Sequence, residues 1–226
     1  MSLRKHIPNL LTSARVLMAI GVTALLAGAH TIVVFPAEIL TFERRWQIAR
    51  DDNGWLLFSA GLFLLAAITD ALDGFLARRW KVISRFGRIM DPFADKLLVI
   101  GTFVMLCGPA FQRVGPDGSV FSLSRVEPWM VVVIIGRELL VTSLRGVLEA
   151  QGRDFSATLS GKLKMILQSA VVPAILITLA FATPWQGTTT RLALDWAVWL
   201  TVIATVLSGV PYVRRAMTLS GIDKAI

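Results

Sequence analysis

Hydrophobic residues fall in six blocks along the 226-residue chain, separated by stretches rich in Arg, Lys, Gly and Pro, the first of which, 29–54, is long. The blocks cover about 8–28, 55–79, 86–108, 127–150, 159–182 and 191–214. Each is close to the ~20 residues a helix needs to cross a bilayer's hydrocarbon core. The pattern therefore predicts an all-α integral membrane bundle of six transmembrane helices, built as a single domain over 1–226. Trp55, Trp80, Trp129 and Trp185 fall near the block ends, where an aromatic belt would place them. Between the first two blocks, Pro36 interrupts an apolar run, and Arg44, Arg45 and Trp46 suit a helix lying in the membrane interface. Gly115-Pro116-Asp117-Gly118 reads as a tight turn, the tip of a hairpin.

Charge orients the bundle. The chain is 55% hydrophobic with mean hydropathy +0.67, yet carries a net charge of +8. Its cations flank the apolar blocks, which points to anionic lipid headgroups rather than to nucleic acid. If the blocks alternate across the membrane, Arg4, Lys5, Arg78, Arg79, Lys81, Arg85, Arg88, Arg153, Lys162, Lys164, Arg214, Arg215 and Lys224 collect on one side. Arg44, Arg45, Arg50, Arg113, Arg125 and Arg191 fall on the other. The richer side is cytoplasmic by the positive-inside rule, and both termini lie there. Arg4-Lys5 followed by the apolar run Val16 to Ala27 imitates a cleaved signal peptide, but Arg15 inside the run argues against a signal core. The single Cys107 excludes an internal disulfide, and His6 and His30 have no ligand partners at metal spacing.

One segment departs from the apolar pattern. Asp70-x2-Asp73-Gly74-x2-Ala77-Arg78 is followed, eight residues later, by Gly87-x3-Asp91-x3-Asp95. An ionised Asp at membrane depth costs roughly 3 kcal/mol even on lenient scales, so four together need a counter-charge. On helices, Asp70 and Asp73 share one face and Asp91 and Asp95 another, and two such pairs joined by a short loop converge on one or two cations. Oxygen-only ligands suit Mg²⁺, Mn²⁺ or Ca²⁺ rather than zinc. Gly74, Ala77 and Gly87 leave room for a ligand against the backbone, and Arg78 can hold a phosphate by paired hydrogen bonds. A transporter built on intramembrane carboxylates is the competing reading. Such sites sit at the midplane with broken helices, whereas these aspartates cluster at one face.

The eight fixed positions resemble the signature of the CDP-alcohol phosphatidyltransferase family. The resemblance implies transfer of a phosphatidyl or phosphoalcohol group from a cytidine diphosphate donor to a hydroxyl acceptor, with release of CMP. It implies two Mg²⁺ or Mn²⁺ ions held by Asp70, Asp73 and Asp91, with Asp95 as general base and a further metal contact. Pro8-Asn9-x2-Thr12-x2-Arg15 resembles the start of the family's first helix, so Asn9 and Thr12 become donor contacts together with Asp73, Gly74, Ala77, Arg78, Ser84 and Gly87. Helix capping is the alternative role of Asn9, Thr12 and Ser84. A homodimer is likewise implied.

The acceptor is read from the second half. Arg137-Glu138 sits mid-block, and Arg137 shares a helical face with Arg145, while Lys162 and Lys164 open the fifth block. Four cations there make an anion pocket, or else Arg137 pairs with an acid and the lysines anchor a helix. Gly136-Arg137-Glu138-Leu139-Leu140 and Gly161-Lys162-Leu163-Lys164 resemble bacterial family members that use CDP-diacylglycerol as donor and glycerol 3-phosphate as acceptor. An inner-membrane protein with its site facing the cytoplasm is expected, and sibling acceptors (phosphatidylglycerol, serine, inositol phosphate) stay open.

Overall fold

The computed structural model describes residues 3–33, 54–80, 85–114, 120–150, 159–181 and 188–220. Long helices dominate these residues: α1 (Leu3–Val33), α2 (Gly54–Trp80), α3 (Arg85–Leu106), α4 (Pro128–Ala150), α5 (Leu159–Phe181) and α6 (Thr188–Ser220). They coincide with the six blocks, but α1 begins before position 8 and α6 continues past 214. Hydropathy marks the part of a helix that lies in lipid, whereas the backbone hydrogen-bond ladder continues into water wherever nothing breaks it.

Four stretches are long and apolar enough to cross a membrane: Asn9–Gly28, Gly54–Phe75, Ser160–Phe181 and Thr189–Thr218. The other two helices, α3 and α4, have the length, 22 and 23 residues, but are too charged to meet that description. Asp91, Asp95 and Lys96 interrupt α3, and Arg137, Glu138 and Arg145 interrupt α4. Of these, Asp91, Asp95, Arg137 and Arg145 are candidate site residues of the sequence, so part of what lowers the hydropathy is also candidate chemistry.

The helices close into a ring. α1 packs on α2 and α3, α2 on α5, α5 on α6, α6 on α4, and α4 returns to α3. One hydrophobic core runs through it, with Phe63, Phe103, Leu106, Ile134, Ile175 and Leu176 almost fully buried. Phe58, Leu65, Ile166, Leu200 and Leu207 instead point outward, which is unfavourable in water and appropriate against acyl chains. Trp129 and Trp199 stack at 5.4 Å between ring centroids on that outer surface. Three interior hydroxyls bond their own helix: Thr102 donates to Leu98 O (2.6 Å), Thr205 to Thr201 O (2.7 Å) and Ser208 to Thr205 O (2.7 Å), whereas the buried Ser59 Oγ has no partner among the described residues. α1 and α3 approach very closely, for a Cβ placed on Gly101 would lie 2.6 Å from Thr23 Cγ2.

Between α3 and α4 a short 3₁₀ turn (Pro109–Phe111) leads into a two-stranded hairpin, β1 (Gln112–Val114) and β2 (Val120–Ser122). The strands pair antiparallel in the register Gln112↔Ser122, Arg113↔Phe121 and Val114↔Val120. This hairpin is the expected one, although its tip at 115–119 lies outside the described residues, as do the Arg44-Arg45-Trp46 segment, Ser84 and Trp185. Arg125, in the left-handed region at φ 61, then turns the chain into α4. Its Nη2 donates to Asp195 Oδ2 at 2.9 Å, tying this end of the bundle to α6.

Candidate active site

α2 and α3 bring the motif carboxylates together at one end of the bundle, and α1 meets them there. Asp70 and Asp73 are one helical turn apart, so both look inward from α2. Asp91 faces them from α3. Among these carboxylates lies the guanidinium of Arg15, fully buried at 0% exposure. Its Nη1 is 2.6 Å from Asp70 Oδ1 and 3.8 Å from Asp91 Oδ1, and its Nη2 donates to Asp73 Oδ2. Thr12, three residues before Arg15 and on the same face of α1, donates to Asp91 Oδ1 at 2.7 Å. Thr12, Asp70, Asp73 and Asp91 thus share one cluster, joined by Arg15, which the motif Pro8-Asn9-x2-Thr12-x2-Arg15 contains but to which the sequence assigns no site role. A lone cation inside an apolar helix, one turn from Thr12, was the available signal for Arg15: it requires a buried acid.

Exposure is uneven around the cluster. The Asp73 side chain is 8% exposed, against 35% for Asp70 and 43% for Asp91. The acidic end therefore opens outward past Asp70 and Asp91, with Asp73 at its floor. Gly87 is buried and Gly74 half-buried beside it. Ala77 and Arg78 lie on the last turns of α2, their side chains outside the described set, and Asn9 is half-buried on the first turns of α1. The cluster offers only hard oxygen donors, which fits a divalent ion of the magnesium class. Among the described residues no three carboxylates close to direct metal-binding range. The guanidinium stands between them.

A second buried cluster lies across the ring. Glu138 Oε1 accepts from Lys164 Nζ at 2.6 Å and from Arg137 Nη1 at 3.1 Å. Arg137 also donates to the Ser208 carbonyl at 3.4 Å and covers the ring of Tyr212 at 5.8 Å. Glu138, Lys164 and Tyr212 are all buried. Arg137 is thus paired with an acid, yet among the described residues two cations directly contact one carboxylate, a local excess of positive charge in a confined space. Glu138 and Tyr212 were not singled out in the sequence, because a helix-face argument on α4 alone shows neither the partner on α5 nor the ring on α6. Arg145 and Lys162, expected in the same pocket, are exposed on α4 and α5. Asp95, half-buried on α3, is within electrostatic reach of Asp70 in the first cluster and of Lys164 and Glu138 in the second.

The sequence matches a known group of proteins. The sequence profile of the CDP-alcohol phosphatidyltransferases matches residues 5–208. The chain belongs to that family. It is accordingly a transferase, and its apolar helices make it a membrane protein. The Bacillus subtilis protein named CDP-diacylglycerol–glycerol-3-phosphate 3-phosphatidyltransferase is 37% identical over 159 residues, 70% of this chain and 73% of that protein. A Rickettsia prowazekii protein of the same name is 27% identical over 219 residues, 96% of this chain and 99% of its own length. A rice cardiolipin synthase (CMP-forming) is 41% identical, but over 91 residues that make up 38% of this chain and 25% of the rice protein.

Proposed function

We propose that this chain transfers the phosphatidyl group of CDP-diacylglycerol to glycerol 3-phosphate in phospholipid biosynthesis, giving phosphatidylglycerophosphate and CMP. Relatives of that name align along 70% and 96% of the chain. The observation that carries the choice of acceptor is the pair of cations, half-buried Arg137 and buried Lys164, on one Glu138. A phosphate monoester is close to a dianion at neutral pH and would meet that local excess of positive charge. Serine brings no such anion, and phosphatidylglycerol brings only a monoanionic diester. The short match to a cardiolipin synthase supports phosphatidylglycerol as the second reading.

In this proposal the chain spans the inner membrane six times with both termini and the acidic end in the cytoplasm. α3 and α4 are shielded from lipid by pairing their charges within the bundle. Two Mg²⁺ or Mn²⁺ ions, when bound, offset charge on the donor's diphosphate and on departing CMP. Asp70, Asp73 and Asp91 hold them, with Asp95 at the edge of the set. Asn9, Thr12, Gly74, Ala77, Arg78, Ser84 and Gly87 line the donor, its acyl chains remaining in lipid. Asp95 takes the proton of the acceptor hydroxyl as that oxygen bonds the β-phosphorus and the bond from phosphorus to the CMP oxygen breaks. Its electrostatic reach to both Asp70 and the Lys164–Glu138 pair supports that role. Arg137 and Lys164 hold the acceptor phosphate, with Arg145 and Lys162 drawing the anion in from the exposed rim. A homodimer, as the family resemblance implies, completes the proposal.

The decisive experiment separates products by thin-layer chromatography after incubating purified protein, CDP-diacylglycerol and Mg²⁺ with labelled glycerol 3-phosphate, phosphatidylglycerol, serine or inositol phosphate. Phosphatidylglycerophosphate with stoichiometric CMP is expected. A product from another acceptor alone would move the chain to a sibling activity, and absence of CMP release with every acceptor would refute a transferase of this kind.

A further inference from the structure

Arg15 is the largest essentially inaccessible side chain among the described residues. Its surroundings are unusual for a structural ion pair, because it faces three carboxylates rather than one. Among the described residues one positive charge touches three negative ones, an excess of two negative charges that equals the charge of one divalent ion. The guanidinium is also incompletely bonded. Among the described residues Nε and Nη1 have no aligned hydrogen-bond acceptor, although Nη1 is close to Asp70. A buried guanidinium with donors left over is held by charge more than by geometry, and so is open to redirection.

We propose that Arg15 is a resident counter-cation that competes with the divalent metal for Asp70, Asp73 and Asp91. This rests on the metal reading given above. In the metal-free protein Arg15 holds the three aspartates together through its contacts with each of them, which offsets the like-charge repulsion between α2 and α3. Metal uptake is then an exchange, in which the guanidinium yields its places on the carboxylates and its freed donors face the phosphate side of the site. Arg15 accordingly weakens metal affinity while stabilising the metal-free fold. A residue that merely built the site would strengthen both.

The test measures Mn²⁺ binding by calorimetry and thermal unfolding with and without chelator, on full-length protein in detergent. Arg15→Gln should tighten Mn²⁺ binding about tenfold or more, the least expected from removing one charge-assisted competitor. The same variant should unfold at lower temperature in chelator and gain more from Mn²⁺ than wild type does. Arg15→Lys, which keeps the charge, should bind Mn²⁺ within a few-fold of wild type. Unchanged or weaker binding by folded Arg15→Gln overturns the proposal. So that nothing depends on the variant's folding, ¹⁵N-arginine spectra of wild type provide a second measurement. The Nε–H resonance missing from Arg15→Lys should shift on adding Mg²⁺, and an unmoved resonance overturns the exchange. Wild type that binds no Mn²⁺ removes the metal reading and this proposal together, whereas Asp91-dependent binding that Arg15→Gln leaves unchanged removes this proposal alone.

Discussion

Arg137→Gln isolates the acceptor pocket with little collateral damage. In the wild type the Arg137 guanidinium is 3.1 Å from Glu138 and 3.4 Å from the Ser208 carbonyl. Glu138 does not depend on it, since Lys164 remains at 2.6 Å. Removing the arginine therefore leaves a matched Lys⁺–Glu⁻ pair and no orphaned buried charge. That avoids the 3–5 kcal/mol typical of breaking a buried pair from one side. What disappears is the local excess of positive charge. One charge-assisted hydrogen bond contributes roughly 1.5–3 kcal/mol, so KM for glycerol 3-phosphate should rise about 10- to 150-fold. KM for CDP-diacylglycerol should change by less than a few-fold, because the donor site proposed above is built on Asp70, Asp73 and Asp91, none of which Arg137 contacts. The assay is a pair of titrations on one variant, donor varied at fixed acceptor and then the reverse, with CMP release as the readout. Equal damage to both constants would mean that Arg137 supports the bundle rather than the acceptor. An unchanged acceptor KM would refute the anion-pocket argument and favour a sibling acceptor.

Asp70→Asn and Asp91→Asn should each abolish turnover while leaving membrane insertion intact. Chelation should silence the wild type and Mg²⁺ or Mn²⁺ restore it, whereas full activity after rigorous chelation would exclude a metal-dependent reaction. Asp95→Asn retains shape but cannot accept a proton, so turnover should fall by ~10²–10⁴-fold with donor binding largely kept; near-normal rates would make Asp95 structural. Gly101→Val would push a methyl group into Thr23, a β-branched neighbour with little freedom to turn away. A stability loss of about 1–3 kcal/mol is expected from such overpacking, read as a lower unfolding midpoint in detergent, and an unchanged midpoint would show that α1 and α3 separate easily.

The parts of the site legible in sequence were those fixed by spacing along one helix. Asp70 with Asp73, and the short loop to Asp91 and Asp95, state their own geometry because 3.6 residues per turn does not depend on context. Arg15, Glu138 and Tyr212 carry no such local pattern. Arg15 meets Asp73 58 positions away, and Glu138 meets Lys164 26 positions away, contacts set by the order of helices around the ring. The six helices themselves were legible as apolar blocks, but their ends were not. α6 continues through Arg214 and Arg215, which end an apolar block without ending a helix. In α3 and α4 the apolar signal and the chemical signal compete, for each charge that marks the site also lowers the hydropathy that marks a span.

Arg15 also bears on how the chain enters the membrane. It lies within the apolar stretch Asn9–Gly28, and its acidic partners on α2 and α3 are synthesised only later. A first helix inserted alone would carry an unmatched cation at a penalty of up to about 3 kcal/mol, less the nearer the residue lies to the interface. The penalty is lifted once Asp70 and Asp73 follow on the next helix. The ribosome thus delivers the cation first and its partners tens of residues afterwards, which favours integration of α1 and α2 as a hairpin over integration one helix at a time. The same side chain that shapes the mature site would then set the earliest step of its assembly.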